Sequence, residues 1–302
     1  MPRPERDSDG KPTGKLCVVA TPLGNPDDLS PRARATLARA DVILAEDTRS
    51  ARRLLTDAGL PAETTTKLMS CFDANESDRA AEAVAWVAAG QCVAVISEAG
   101  TPLVSDPGFR VAAAVAAAGL RVEPIPGPSA LLAALVGSGL SPDHFTFLGF
   151  PPRKSGARRR LFESLRLHPY TLILYESPMR TADTLADLAA VLGAERRACV
   201  ARELTKTYEE FVRDTLGALA EKYRVDRPLG EVTLVVAGAA ANATAEEFTD
   251  EAIQGEARER LASGVSARDV STELAARSGR PRREVYALVT AASRGDGDGD
   301  EG

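Results

Sequence analysis

Short apolar runs alternate with helical stretches along most of this chain, and that alternation constrains the fold more than any other feature. LCVVA (16–20), VILA (42–45), VAVI (93–96) and RVEPI (121–125) read as strands, with helices expected over 30–39, 48–57, 76–89 and 107–118. Ser30 can cap its helix ahead of Pro31, and Gly90 and Gly119 sit where helices end. Apolar strands separated by helices imply βαβ crossovers and a mostly parallel sheet. PGPSA (126–130) punctuates the chain and starts a helix to about Gly137. A second alternating set follows in FTFLG (145–149), TLILYE (171–176), CVAR (199–202) and VTLVVAG (232–238), with helices near 156–167, 178–192 and 214–223. The expected fold is α/β: two tandem α/β domains, 15–126 and 127–240, with a cleft between them. A linker and small helical subdomain occupy 241–294, where Ser266 and Pro281 look like helix starts. Residues 1–14 and the acidic 295–302 read as disordered tails.

Several function classes drop out. The richest apolar run, Val111 to Leu120, is too short to cross a bilayer, and the first residues form no apolar leader, so a cytosolic protein is expected. Four cysteines (Cys17, Cys71, Cys92, Cys199) are scattered without a CxxC, and only His144 and His168 supply imidazoles, so no metal site is expected. No GxGxxG follows a strand, and HExxH and GxSxG do not occur. GKPTGKL (10–16) approaches a phosphate-binding loop but has the wrong spacing and precedes a strand instead of following one. The net charge of −6 is set largely by the acidic tail; between Lys15 and Arg294 it is −2, which leaves room for a basic face.

In open α/β sheets ligands bind at the carboxyl ends of strands. The loop TPLGNPDDLS (21–30) contains Gly24, which permits close backbone approach. AEDTR (45–49) puts two acids, a hydroxyl and an arginine at a strand end, with Asp47 or Thr48 a candidate helix cap. SEAGTPLVSDPG (97–108) is rich in small residues and suits main-chain contact with a small ligand. There Asp106, before Pro107, reads equally well as the cap of the next helix.

These segments, with PGPSA, GFPPRKSG, YESPMR, RELTKTYEE and PLGEVTLVVAG, occur in the order seen in the small-subunit ribosomal RNA methyltransferases of the tetrapyrrole-methylase superfamily, which the chain resembles from Lys15 to Ala240. The helical end resembles that family too. The resemblance implies a cytoplasmic homodimer that uses S-adenosylmethionine to methylate the ribose 2′-hydroxyl of a cytidine in the decoding region of 16S ribosomal RNA, on free RNA or the 30S subunit. It implies cofactor contacts at Pro22, Leu23 and Gly24; at Glu98, Ala99, Gly100, Thr101 and Pro102; and at Ser105, Asp106, Ser129 and Ala130. In the second half they fall at Tyr175, Glu176, Ser177, Arg202 and Gly230. Two positions depart from the family's pattern: Glu98 stands where Asp is usual, and Ala74 where a histidine precedes Asn75 and Glu76.

Methyl transfer to a hydroxyl needs alignment and a base within hydrogen-bond reach. Neither histidine is suitably placed. The candidates are Glu46 and Asp47, Asn75 and Glu76, and Glu203, Lys206 and Glu210, with Glu46, Asp47 and Lys206 preferred; a lysine near a sulfonium is expected to have a lowered pKa. A salt bridge across the interface competes with each assignment. For RNA the signal is Arg153, Lys154, Arg158, Arg159, Arg160 and Arg166 against one acid, Glu163, with Arg49 at the second strand's end. Arg277, Arg280, Arg282 and Arg283 form a second possible RNA face, or a packing or dimerisation element. Two other readings remain open: a methyltransferase of this fold acting on a tetrapyrrole or a protein, and an inactive RNA- or ribosome-binding module.

Overall fold

The computed structural model describes residues 13–60, 66–239, 248–278 and 280–294. The amino-terminal segment before Thr13, the proposed linker and the acidic tail lie outside the described residues. Strands β1 (Lys15–Val19), β2 (Val42–Ala45), β3 (Lys67–Ser70), β4 (Cys92–Ile96) and β5 (Arg121–Ile125) form one wholly parallel sheet in the order β3-β2-β4-β1-β5. The central strands are apolar on both faces because helices cover both. Cys17 and Val19 pack with α1 (Pro31–Leu37) and α2 (Thr48–Asp57), while Leu16 on the opposite face packs with α3 (Glu76–Ala88) and α4 (Phe109–Ala117). Ser30 caps α1 as expected, its hydroxyl accepting the Ala33 N–H at 3.0 Å.

The order of this sheet positions a site. β1 and β4 are neighbours, yet the chain leaves β1 toward β2 and leaves β4 toward β5, in opposite directions and across opposite faces. Their loops therefore diverge and open a crevice at the strands' carboxyl ends.

The second sheet is mixed. After α5 (Ala130–Ser138) come β6 (Phe145–Phe147), α6 (Ser155–Glu163), β7 (Thr171–Glu176), α7 (Thr181–Leu192), β8 (Arg197–Arg202), β9 (Glu210–Thr215), α8 (Leu216–Val225) and β10 (Val232–Val236). Their order is β6-β7-β10-β8-β9, and only β6 and β7 pair in parallel. β7 and β8 run the same way with β10 reversed between them. One face buries Leu172, Leu174, Leu185, Leu188, Leu216 and Leu234; the other buries Ile173, Cys199, Ala201 and Val235 against α5.

Three helices complete the described residues: α9 (Asp250–Ala262), α10 (Ala267–Ser278) and α11 (Arg282–Arg294), packed around Ile253, Val270, Leu274, Val285 and Val289, with Leu167, just beyond α6, against them. Two of them begin just after Ser266 and Pro281, where the sequence places their starts. Among the described residues no helix is long and apolar enough to cross a membrane.

Candidate active site

The loops after β1, β4 and β5 are fastened to one another before any ligand is considered. Thr21 and Gly100 exchange backbone hydrogen bonds at 2.8 and 3.1 Å, and the Thr101 hydroxyl donates to the Pro128 carbonyl at 2.9 Å. Gly100 sits at φ +79°, where an added Cβ would lie 3.0 Å from Leu23 Cδ2. Leu103 and Ser105 are held at φ 71° and 70°, left-handed backbone that non-glycine residues adopt only under constraint. The loop after β8 repeats this, with Glu203 at φ 50° and Thr205 at φ 64°. It is tied to the first half where Thr205 Oγ1 accepts the Asn25 N–H at 3.2 Å and where the Lys206 stem fills the space beside Gly24.

Between these loops lies a cavity of 380 Å³, within the usual range of ligand pockets. The first half contributes Leu23, Glu46, Glu98, Ala99, Gly100, Thr101, Val104, Ser105, Asp106, Ser129 and Ala130. The second contributes Phe150, Tyr175, Glu176, Ser177, Pro178, Gly230, Glu231, Val232 and Thr233. Tyr175 braces the floor: its hydroxyl accepts the Leu131 N–H at 3.2 Å, and its ring meets Phe147 edge-on at 4.9 Å and the exposed Phe150 at 5.6 Å.

Most of the residues implied as cofactor contacts thus meet in one place. Pro22, Gly24, Pro102 and Arg202 do not line the cavity; Gly24 makes room for Lys206, and Arg202 is paired with Glu210 at 2.6 Å. Glu176 lines it, but its carboxylate turns into the protein, where it accepts from Ser177 N, Arg180 and Thr184 Oγ1. Val104, Phe150, Pro178, Glu231, Val232 and Thr233 were not picked out by the sequence.

Glu46, Glu98 and Asp106 line the cavity on the first half's side, and burial, reinforced by their mutual repulsion, sets its electrostatics. Burial pushes Asp106 up to about 6; the Ser97 hydroxyl opposes that, while Glu46 and Glu98 add to it. Glu46 is also raised, first by burial and then by Glu98, Asp73 and Asp47.

The remaining candidates are engaged elsewhere. Asp47 caps α2 and pairs with Arg49 at 2.7 Å, which holds its carboxyl at about 2. Lys206 contradicts the expected lowered pKa: burial presses it down, but Glu203 at 3.0 Å and Glu231 at 3.2 Å outweigh burial and keep it cationic. Asn75 accepts the Phe72 N–H and donates to the Ser70 carbonyl. Glu76 is buried, and its Oε1 accepts both the Gly108 and Arg110 N–H groups at 2.8 Å, closing the start of α4. Glu76, not Asp106, therefore serves that helix end: Asp106 lies two residues ahead of Gly108, the residue flanking it. Glu76→Ala leaves two backbone donors unpaired. It is expected to cost about 1–3 kcal/mol, read by chemical denaturation, with ligand affinity in the cavity unchanged.

Of the basic run on α6 and the loop before it, Arg158 is buried and bonded to Asp187 at 2.5 Å, because it shares the inner face of α6 with Phe162. Asp187 also accepts from Arg159 at 2.9 Å. Arg153, Lys154 and Arg160 stay exposed, as does the Arg49 side chain beside Asp47. His168 Nε2 bonds Thr146 Oγ1 at 2.7 Å and His144 stacks on Tyr170, so both imidazoles are structural, as the sequence indicates.

Residues 15–220 match the family model of Tetrapyrrole (Corrin/Porphyrin) Methylases. The chain is 44% identical over 278 residues to a Synechocystis sp. protein called ribosomal RNA small subunit methyltransferase I, covering 91% of this chain and 97% of that one. A Mesorhizobium japonicum protein of the same name is 42% identical, covering 95% of each chain. Among solved structures, uroporphyrin-III C-methyltransferase from Thermus thermophilus, complexed with S-adenyl homocysteine, has a TM-score of 0.52 at 20% identity, over 74% of this chain and 97% of that one.

Proposed function

Because this chain belongs to the tetrapyrrole (corrin/porphyrin) methylase family, we propose that its cavity binds S-adenosylmethionine and that the protein methylates the ribose 2′-hydroxyl of a cytidine in the decoding region of 16S ribosomal RNA, acting as a cytoplasmic homodimer. The observation that carries the reading is the cavity's make-up: a main-chain cradle around Gly100, at a position where a Cβ would crowd Leu23, in one cavity with the carboxylates of Glu46, Glu98 and Asp106. That set fits a small polar ligand bearing positive charge. When bound, S-adenosylmethionine supplies a methyl group already activated on a cationic sulfur.

The chain's own residues do the rest. The fastened loops from Leu23, Ala99 to Thr101 and Ser129 to Ala130 hold the ligand by main chain and fix its orientation, the larger share of the work. Asp106, the more buried carboxylate, neutralises its positive charge. Glu46 stands exposed at the rim, within reach of a macromolecular hydroxyl, and its carboxylate accepts the proton; its raised pKa improves it as a base near neutral pH. Lys206 and Glu203 act as positioning residues that hold the second half's loop against Gly24 and Glu231. Arg49, Arg153, Lys154 and Arg160 contact phosphates.

The test is transfer of labelled methyl from S-adenosylmethionine to 30S subunits from a strain lacking the modification, followed by digestion to nucleosides. Label in 2′-O-methylcytidine is expected. Label in a base, in a ribosomal protein or only in an added tetrapyrrole would replace the acceptor, and a chain without affinity for the donor would be a binding module.

A further inference from the structure

The three carboxy-terminal helices carry a surface separate from the cavity. Arg268 near the start of α10, and Arg282, Arg283 and Tyr286 in the first turns of α11, line an open groove of 460 Å³. All four are exposed. Val285 and Val289 turn into the helical core, and Arg282 and Tyr286, one turn apart, flank that buried stripe at the surface, with Arg283 beside them.

Among the described residues the nearby acids have other partners than these arginines. Asp269 accepts from Ser266, Glu284 and Asp250 lie against Arg280, and Glu273 is bonded to Arg260. The sequence singles out Arg282 and Arg283; Arg268 and Tyr286 join them only through the packing of α10 against α11.

We propose that this groove is a second RNA-contact surface, in which Arg268, Arg282 and Arg283 engage backbone phosphates and Tyr286 stacks on an unpaired base. Guanidinium groups beside an exposed aromatic face match a polymer of phosphates and flat bases. The groove is connected to the cavity through α6. The loop before that helix carries Phe150 at the cavity together with Arg153 and Lys154, and the segment after it carries Leu167 into the helical core. The inference rests on the RNA-acceptor reading.

The test measures binding of the full chain to a labelled hairpin from the 16S decoding region, and to 30S subunits, across a salt series. Arg268→Gln/Arg282→Gln/Arg283→Gln is expected to weaken hairpin binding about 10- to 100-fold and to flatten the log–log salt slope by about 2. Tyr286→Leu should weaken it about tenfold with the slope unchanged, and Tyr286→Phe should restore it. Donor affinity and melting temperature should match wild type in all of them, which separates a binding defect from a folding one. Unchanged affinity and slope in the triple variant, with wild type binding and methylating, would overturn this inference alone. A loss confined to 30S particles would assign the groove to a ribosomal protein and overturn it as well. A wild-type chain that binds neither RNA probe would overturn the acceptor reading with it.

Discussion

Glu46→Gln is expected to lower the rate of methyl transfer about 10²- to 10⁴-fold while leaving donor affinity within about threefold. The substitution keeps the side chain's shape and removes only its capacity to take a proton. The expectation follows from elimination by geometry. Asp47 is tied to Arg49 and held at about 2, Lys206 is held cationic by two carboxylates, and Asn75 and Glu76 are committed to backbone groups. Glu46 alone of those candidates lines the cavity. Its raised pKa sets the pH dependence. An acid must be ionised to act as a base, so the rate should fall as pH drops through the Glu46 pKa, and that acid limb should lie above the ordinary carboxylate range. Single-turnover rates across pH on 30S subunits, with donor saturating at every pH, make the check. A variant within threefold of wild type, or an acid limb that persists in it, would remove Glu46 as the base.

How far the chain was readable depends on what each strand touches. The central strands are buried on both faces and so appear as plain apolar runs. β3 (KLMS) escapes such a reading because it is a short edge strand with a lysine and a serine, and β9 (EFVRDT) because, at the other edge, Glu210, Arg213 and Asp214 leave it no apolar run. An apolar run carries no mark of direction, which is why the sequence indicates a second α/β domain without indicating that its sheet is largely antiparallel. That reversal brings Val232 and Thr233, at the amino-terminal end of β10, to the cavity, whereas a parallel sheet would present only carboxyl ends there. Asp106 looked like a helix cap because the left-handed turns at Leu103 and Ser105 leave no signature in the sequence. Arg158 could have been separated from its exposed neighbours, since it stands four residues before Phe162 and so shares its buried face.

Asp106→Asn should separate stability from binding. In the folded chain Asp106 titrates at about 6, against roughly 3.9 for an unfolded aspartate. A raised carboxyl pKa means that folding disfavours the ionised form, so the charge costs stability fully above pH 6 and not at all below about pH 4. Two units would correspond to about 3 kcal/mol; because the side chain is only half-buried, solvent screening reduces this to about 1 kcal/mol. The asparagine variant should therefore be about 1 kcal/mol more stable than wild type at pH 8, with the gain gone at pH 4. Donor binding should move the other way. A cationic ligand is attracted by the ionised carboxylate, so the variant should bind S-adenosylmethionine about 10- to 100-fold more weakly at pH 8. Wild-type affinity should fall about three- to fivefold between pH 6 and pH 5 as Asp106 takes up its proton, and the variant should lack that step. Titration calorimetry and thermal unfolding on the same samples read both quantities. A variant less stable at pH 8, or one that keeps the wild-type pH step in affinity, would show that Asp106 is not the charge that meets the donor. Both signs together would mean that the cavity holds an unfavourable charge in the free protein because the ligand requires it.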